Sequence, residues 1–146
     1  MKTVLFVCTG NTCRSPMAAC LFNAFCERQS DHRFRAVSAG LQAFPGAPAS
    51  EGAQRAMKRR GLSLWRHRAQ PVSSQLLESV EWIVCMSRSH AEALQRDFPH
   101  YAERIRTFSQ SIPDPFGGDD AVYEQTARML ETEVAALYQM LSVGAL

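Results

Sequence analysis

The chain lacks any apolar run near the ~20 residues that a membrane-spanning helix needs, and it shows no signal-peptide pattern. Lys2 does precede an apolar stretch, but that stretch is too short and ends in a polar loop. Five cysteines form an odd set without a C-x-x-C pair, which fits reduced thiols better than a disulfide framework. The histidines His32, His67, His90 and His100 stand without ligand spacing, so no metal and no cofactor are expected. A nucleotide loop of the Walker pattern is excluded because G-(x)4-G-K-[ST] does not occur. The formal charge of +2 is too small to point to nucleic acid. Repeats, linkers and low-complexity segments are also missing. A single domain over residues 1–146 is therefore expected, cytoplasmic, monomeric and without a membrane segment.

What is present is an ordinary globular composition, 46% hydrophobic and 21% charged, in a chain of 146 residues. An apolar strand over 3–7 leads to a helix over 16–29, with Leu21, Phe22 and Phe25 on its apolar side. A second strand, 34–38, ends at Ala39-Gly40, and a helix near 49–60 is stopped by Gly61. A short helix over 72–80, a strand over 82–86, and a helix over 88–97 capped by Ser87 come next. A weaker strand over 105–108 precedes a helix over 119–142. There Val122, Thr126, Met129, Leu130, Val134, Leu137 and Leu141 recur at helical spacing. Strands alternating with helices predict an α/β fold, a three-layer α/β/α domain around a parallel sheet.

The chemistry concentrates in Cys8-Thr9-Gly10-Asn11-Thr12-Cys13-Arg14-Ser15-Pro16, between the first strand and the first helix. Amides at a helix N-terminus and the positive end of its dipole favour an anion there. Pro16 suits the first helical position and Ser15 suits the cap before it. Gly10 and Asn11 most easily take positive φ, so the loop can curl its amides inward. A cysteine at such a helix N-terminus is set up as a nucleophile. Arg14, six positions after Cys8, can return as a planar fork onto two phosphate oxygens. The part still wanting is a proton donor for a leaving group, and Asp114 in Ile112-Pro113-Asp114-Pro115-Phe116-Gly117-Gly118 is the candidate.

C-T-G-N-T-C-R-S-P near the start, S-A-G at 38–40 and D-P-F-G-G late in the chain resemble the low-molecular-weight protein tyrosine phosphatase family. Thr12 and the D-P-F-G-G variant resemble a branch that acts on protein phosphoarginine. The resemblance implies four strands in the order 2-1-3-4 and a phosphocysteine intermediate formed on phosphorylated protein substrates. It implies that the Ser15 hydroxyl donates to Cys8, a role that can coexist with capping. It also offers Cys13 as a resolving thiol for oxidised Cys8, against the plainer reading of a small buried residue. Asn11 is expected to hold the loop by side-chain hydrogen bonds. Phe116 and Phe44 are expected to wall the pocket, and Thr12 to bear on substrate choice.

Other readings stay open at this point. Taken alone, Asp114 before Pro115 reads as a turn residue, and the Cys-Arg loop reverses that reading in favour of the acid, while Asp119 and Asp120 suit a helix N-terminus better than catalysis. Cys20 and Cys26 read as core. The basic run Arg55, Lys58, Arg59, Arg60, Arg66, His67, Arg68 reads as a solvated face, with docking of acidic phosphoproteins as the sharper alternative. Thioredoxin-coupled arsenate reductases share an almost identical loop. They need two relay cysteines downstream, and after Cys26 this chain has Cys85 alone. A non-catalytic phosphoprotein-binding module would be favoured had Cys8 or Asp114 been replaced.

Overall fold

The computed structural model of the chain describes residues 1–146. Its strands are β1 (Lys2–Cys8), β2 (Phe34–Gly40), β3 (Trp82–Cys85) and β4 (Ile105–Thr107). All pair in parallel, in the order β2-β1-β3-β4. The helices are α1 (Arg14–Arg28), α2 (Glu51–Lys58), α3 (Ser74–Glu78), α4 (Arg88–Asp97) and α5 (Asp120–Ser142).

β1 is central, and Val4 through Val7 are fully buried. A strand points successive side chains to opposite faces. Val4 and Phe6 accordingly join a core with residues of α1, α2 and α5. Leu5 and Val7 join a second core with Leu77 of α3 and Leu94 of α4. Those two cores make the three layers. The chain order reverses beside β1, and open parallel sheets bind ligands at the C-terminal strand ends where that happens. Cys8 is the last residue of β1.

The element boundaries depart from expectation in instructive places. The helix expected over 72–80 covers only Ser74–Glu78. Pro71 bridges to Gly40 and the Val72 amide donates to the Gly40 carbonyl, which holds that stretch extended. A 3-10 turn over Pro99–Arg104 separates α4 from β4 and was not foreseen. Along α5, Tyr123 is buried and Val122 is exposed, so the apolar face lies one residue from where Val122 suggested. Asp119 caps α5 by accepting from the Val122 amide, and Ser87 caps α4 by accepting from the His90 amide.

The basic run divides: Lys58, Arg66 and Arg68 are solvent-exposed without a carboxylate partner, as a solvated face requires, whereas three of its arginines are paired. Arg55 pairs with Asp120, and Arg60 makes two hydrogen bonds to Glu124 and one to Glu131, lacing α2 to α5. Cys26 is core, whereas Cys20 is only half-buried, beside the Ser63 carbonyl. No helix is long and apolar enough to cross a membrane.

Candidate active site

Between β1 and α1 the chain turns through Thr9–Cys13, and the carbonyls of this loop are tied from outside. Cys8 O accepts from Leu41 N, Thr9 O from Gln42 N, and Thr12 O from Ser50 N, each at 2.9 Å. The ring of His67 donates through Nε2 to Asn11 O at 2.7 Å. With those carbonyls anchored outward, the amides of Gly10–Cys13 have no backbone acceptor and are left for an anion. The first amides of α1 add to them, as unpaired groups of a helix N-terminus.

Asn11 makes the curl possible. Its φ is 57°, in the left-handed region that asparagine tolerates, and its side chain is fully buried. Nδ2 donates to Ser15 Oγ at 2.8 Å and to Ser38 Oγ at 2.9 Å, while Oδ1 accepts from the Gln70 amide at 2.9 Å. Gly10, the other residue expected at positive φ, does not take it. Gly40 of the S-A-G stretch has a different reason to be glycine. A Cβ there would lie 2.5 Å from Thr9 O and 2.9 Å from Asn11 N.

Cys8 Sγ lies 2.9 Å from Ser15 Oγ. That oxygen accepts from Asn11, and its single proton faces two acceptors, Cys8 Sγ at 2.9 Å and the Ala39 carbonyl at 3.4 Å, of which the sulfur is nearer. Capping by Ser15 is a correction: α1 begins at Arg14, Cys13 is its N-cap residue, and no side chain caps it. Ser15 sits inside the first turn with its hydroxyl turned to Cys8. Cys13 points elsewhere, with Sγ 3.2 Å from Ser50 Oγ and 3.3 Å from Tyr123 Oη. Burial, with the Cys13 contact second, pushes the Tyr123 phenol up to about 12. Cys8 and Cys13 are both free thiols.

Arg14 is buried and steered from the far side. Nη1 donates to the Ile112 carbonyl at 3.0 Å, and Nη2 lies 3.7 Å from Asp114 Oδ2. Asp114 is a turn residue that also faces the cavity. Oδ1 accepts from the Phe116 amide at 3.1 Å, as a turn residue would, and the half-exposed carboxylate faces Arg14. A cavity of about 220 Å³ is lined by Cys8, Thr9, Thr12, Arg14, Asp114 and Phe116, among others. Phe116 is exposed at its rim, while Phe44 is 79% exposed and does not line it, against expectation.

Two site residues escaped the sequence. His67 fastens Asn11 O, and His90 lies 2.8 Å from Thr9 Oγ1. Burial pushes both imidazoles down, His90 to about 4. Neither has a spacing that links it to the loop; the contacts are purely tertiary.

A free thiol, an amide cradle, a buried guanidinium and a carboxylate around one small cavity suit the capture of a tetrahedral oxyanion. The family model described as low molecular weight phosphotyrosine protein phosphatase matches residues 3–144. The chain belongs to that family. It is a protein phosphatase, a hydrolase of phosphorylated protein substrates. A protein-arginine-phosphatase of Bacillus subtilis (strain 168) is 33% identical over 145 residues, spanning 94% of this chain and 95% of its own. A low molecular weight protein tyrosine phosphatase from T. tengcongensis superposes with a TM-score of 0.91 at 36% identity, over 95% of this chain and 99% of the other. A Cys-to-Ser mutant of the YwlE arginine phosphatase, with a phosphorylated active-site serine, gives 0.91 at 32% identity, over 96% and 95%. This low molecular weight phosphatase thus resembles relatives of both substrate types.

Proposed function

We propose that this phosphatase works through a phosphocysteine on Cys8 and prefers phosphoarginine to phosphotyrosine. Cys8 attacks phosphorus in line, forming the S–P bond as the P–N or P–O bond to the side chain breaks. The loop amides and Arg14 hold the equatorial oxygens, where transition-state charge is spread. Asp114 gives its proton to the leaving nitrogen or oxygen. As a carboxylate it then takes a proton from the water that breaks the S–P bond. Phosphate leaves, the Cys8 sulfur is released unprotonated as it attacked, and Asp114 again holds its proton. The relative whose cysteine-to-serine mutant carries a phosphorylated active-site serine supports a covalent intermediate of this kind.

The preference rests on one observation: Thr12 lines the cavity and its hydroxyl has no oxygen or nitrogen partner. Oγ1 makes only a 3.7 Å contact with Cys13 Sγ, so it is free to accept from a bound group. The guanidino group of phosphoarginine is edged with N–H donors. Burying one unpaired costs about 1–3 kcal/mol, roughly one to two decades in rate if the penalty persists in the transition state. Thr12 can accept such a bond; isoleucine cannot. Phe116 offers one exposed aromatic wall, followed by Gly117 at φ 82° and by Gly118, so a phenol ring gains little enclosure.

The test is a pair of initial-rate series on matched phosphoarginine and phosphotyrosine peptides. Thr12→Ile is expected to lower phosphoarginine hydrolysis about tenfold or more while sparing phosphotyrosine hydrolysis. A wild type that prefers phosphotyrosine, with a ratio unmoved by Thr12→Ile, overturns the preference.

A further inference from the structure

His90 is 6% exposed, and its ring lies between two hydroxyls. Nδ1 is 2.8 Å from Ser87 Oγ, and Nε2 is 2.8 Å from Thr9 Oγ1. Burial, aided by the nearby Arg14 guanidinium and opposed by Asp114, pushes the ring down to about 4. At neutral pH it therefore carries one N–H, donating at one nitrogen and accepting at the other.

The surroundings decide which. Ser87 Oγ caps α4 by accepting the His90 amide, and its hydroxyl proton faces Nδ1 at 2.8 Å and the Ser89 oxygen at 2.9 Å, of which the imidazole nitrogen is the stronger acceptor. The neighbouring Ser89 hydroxyl, 2.9 Å from Ser87 Oγ, can itself donate to that oxygen. With Nδ1 accepting, Nε2 holds the ring proton and donates to Thr9 Oγ1. The proton on the Thr9 hydroxyl is then uncommitted, on a residue that lines the cavity beside Cys8 and Arg14. A phosphoryl group offers only lone pairs, so a hydroxyl held the other way round would repel it.

We infer that the Thr9 hydroxyl, oriented by His90, donates a hydrogen bond to the phosphoryl group, adding a side-chain donor to the amides and Arg14. His90 is then a positioning residue that acts through Thr9. The inference rests on the reading of this cavity as the phosphate site.

Competitive inhibition by inorganic phosphate tests it, with kcat/KM on an aryl phosphate and thermal melting measured alongside. Thr9→Val keeps the side-chain shape and is expected to weaken phosphate at least fivefold, with Thr9→Ser close to wild type. His90→Gln is expected to weaken phosphate similarly, and the double variant no more than the larger single effect. Nitrogen-15 spectra of the wild-type imidazole are expected to show Nε2 protonated and Nδ1 bare at neutral pH. Unchanged phosphate inhibition in Thr9→Val, additive losses in the double variant, or a bare Nε2 would each overturn the inference. The spectral result stands even if a His90 variant does not fold. Failure of the wild type to bind phosphate at all would overturn the site reading as well, whereas the other outcomes leave that reading intact.

Discussion

Replacing Gly40 with alanine should disable the loop between β1 and α1 from behind, through its backbone rather than through any cavity-lining side chain. The added Cβ would sit 2.5 Å from Thr9 O, 2.9 Å from Asn11 N and 3.0 Å from Gly10 C, all backbone atoms. Ordinary contact begins at 3.4 Å, so loop and strand must part by roughly 0.9 Å, a displacement of the size that can lower a rate about 10²-fold. Gly40 cannot easily be the one to move. Its amide donates to Gln70 O and its carbonyl accepts from Val72 N, each at 3.0 Å. The loop that carries the amides therefore shifts. We expect kcat/KM on an aryl phosphate to fall about 100-fold. Overpacking should also cost about 1–3 kcal/mol, a fall in Tm of roughly 3–10 °C for a chain of this size. The two readouts separate stability from geometry when rates are taken well below the Tm of the variant. A lowered Tm with kcat/KM within about twofold of wild type would refute the reasoning, since a loop so crowded should not keep its geometry.

Asp114→Ala should slow hydrolysis by roughly 10²–10⁴ on substrates with poor leaving groups and by much less where the leaving group needs little protonation. Equal rates on every substrate would remove Asp114 from the mechanism. Acid stability offers a check on the lacing of α2 to α5. The Arg60 hydrogen bonds hold Glu124 at about 2, below its ordinary 4.5. A carboxylate lowered on folding stabilises fully above its unfolded value and loses that contribution as pH falls towards the folded one. Glu124→Gln should therefore flatten part of the fall in Tm between pH 4.5 and pH 2, and an unchanged acid profile would show the pair to be inert. The outer members of the lacing, Arg55 with Asp120, are half-exposed, so that part of the network should also weaken in high salt.

Much of this molecule is legible in the order of its residues. The run Val4–Val7 is uniformly apolar because both faces of β1 are covered, and the Cys-to-Arg loop is local enough for its curl to be read from Asn11 and the following helix. Features set by distant contacts are not. Ser15 resembles a cap by composition, but Asn11 and Cys8 claim its hydroxyl, and the helix starts one residue earlier. His67 and His90 carry no spacing signal, since what they touch is brought to them by the fold. The pairing of the basic run was partly visible: Asp120, Glu124 and Glu131 recur at helical spacing, offering α5 an acidic stripe to meet α2.

The central claim is that phosphorus passes through the sulfur of Cys8. Rapid quenching during turnover of a phosphopeptide, followed by mass analysis of the fragment spanning residues 3–14, tests it directly. The account predicts one phosphoryl group on Cys8 at the earliest times, absent from Cys8→Ala, and no steady turnover in Cys8→Ser. Steady turnover with no phosphorylated fragment, or turnover surviving Cys8→Ser, would contradict it.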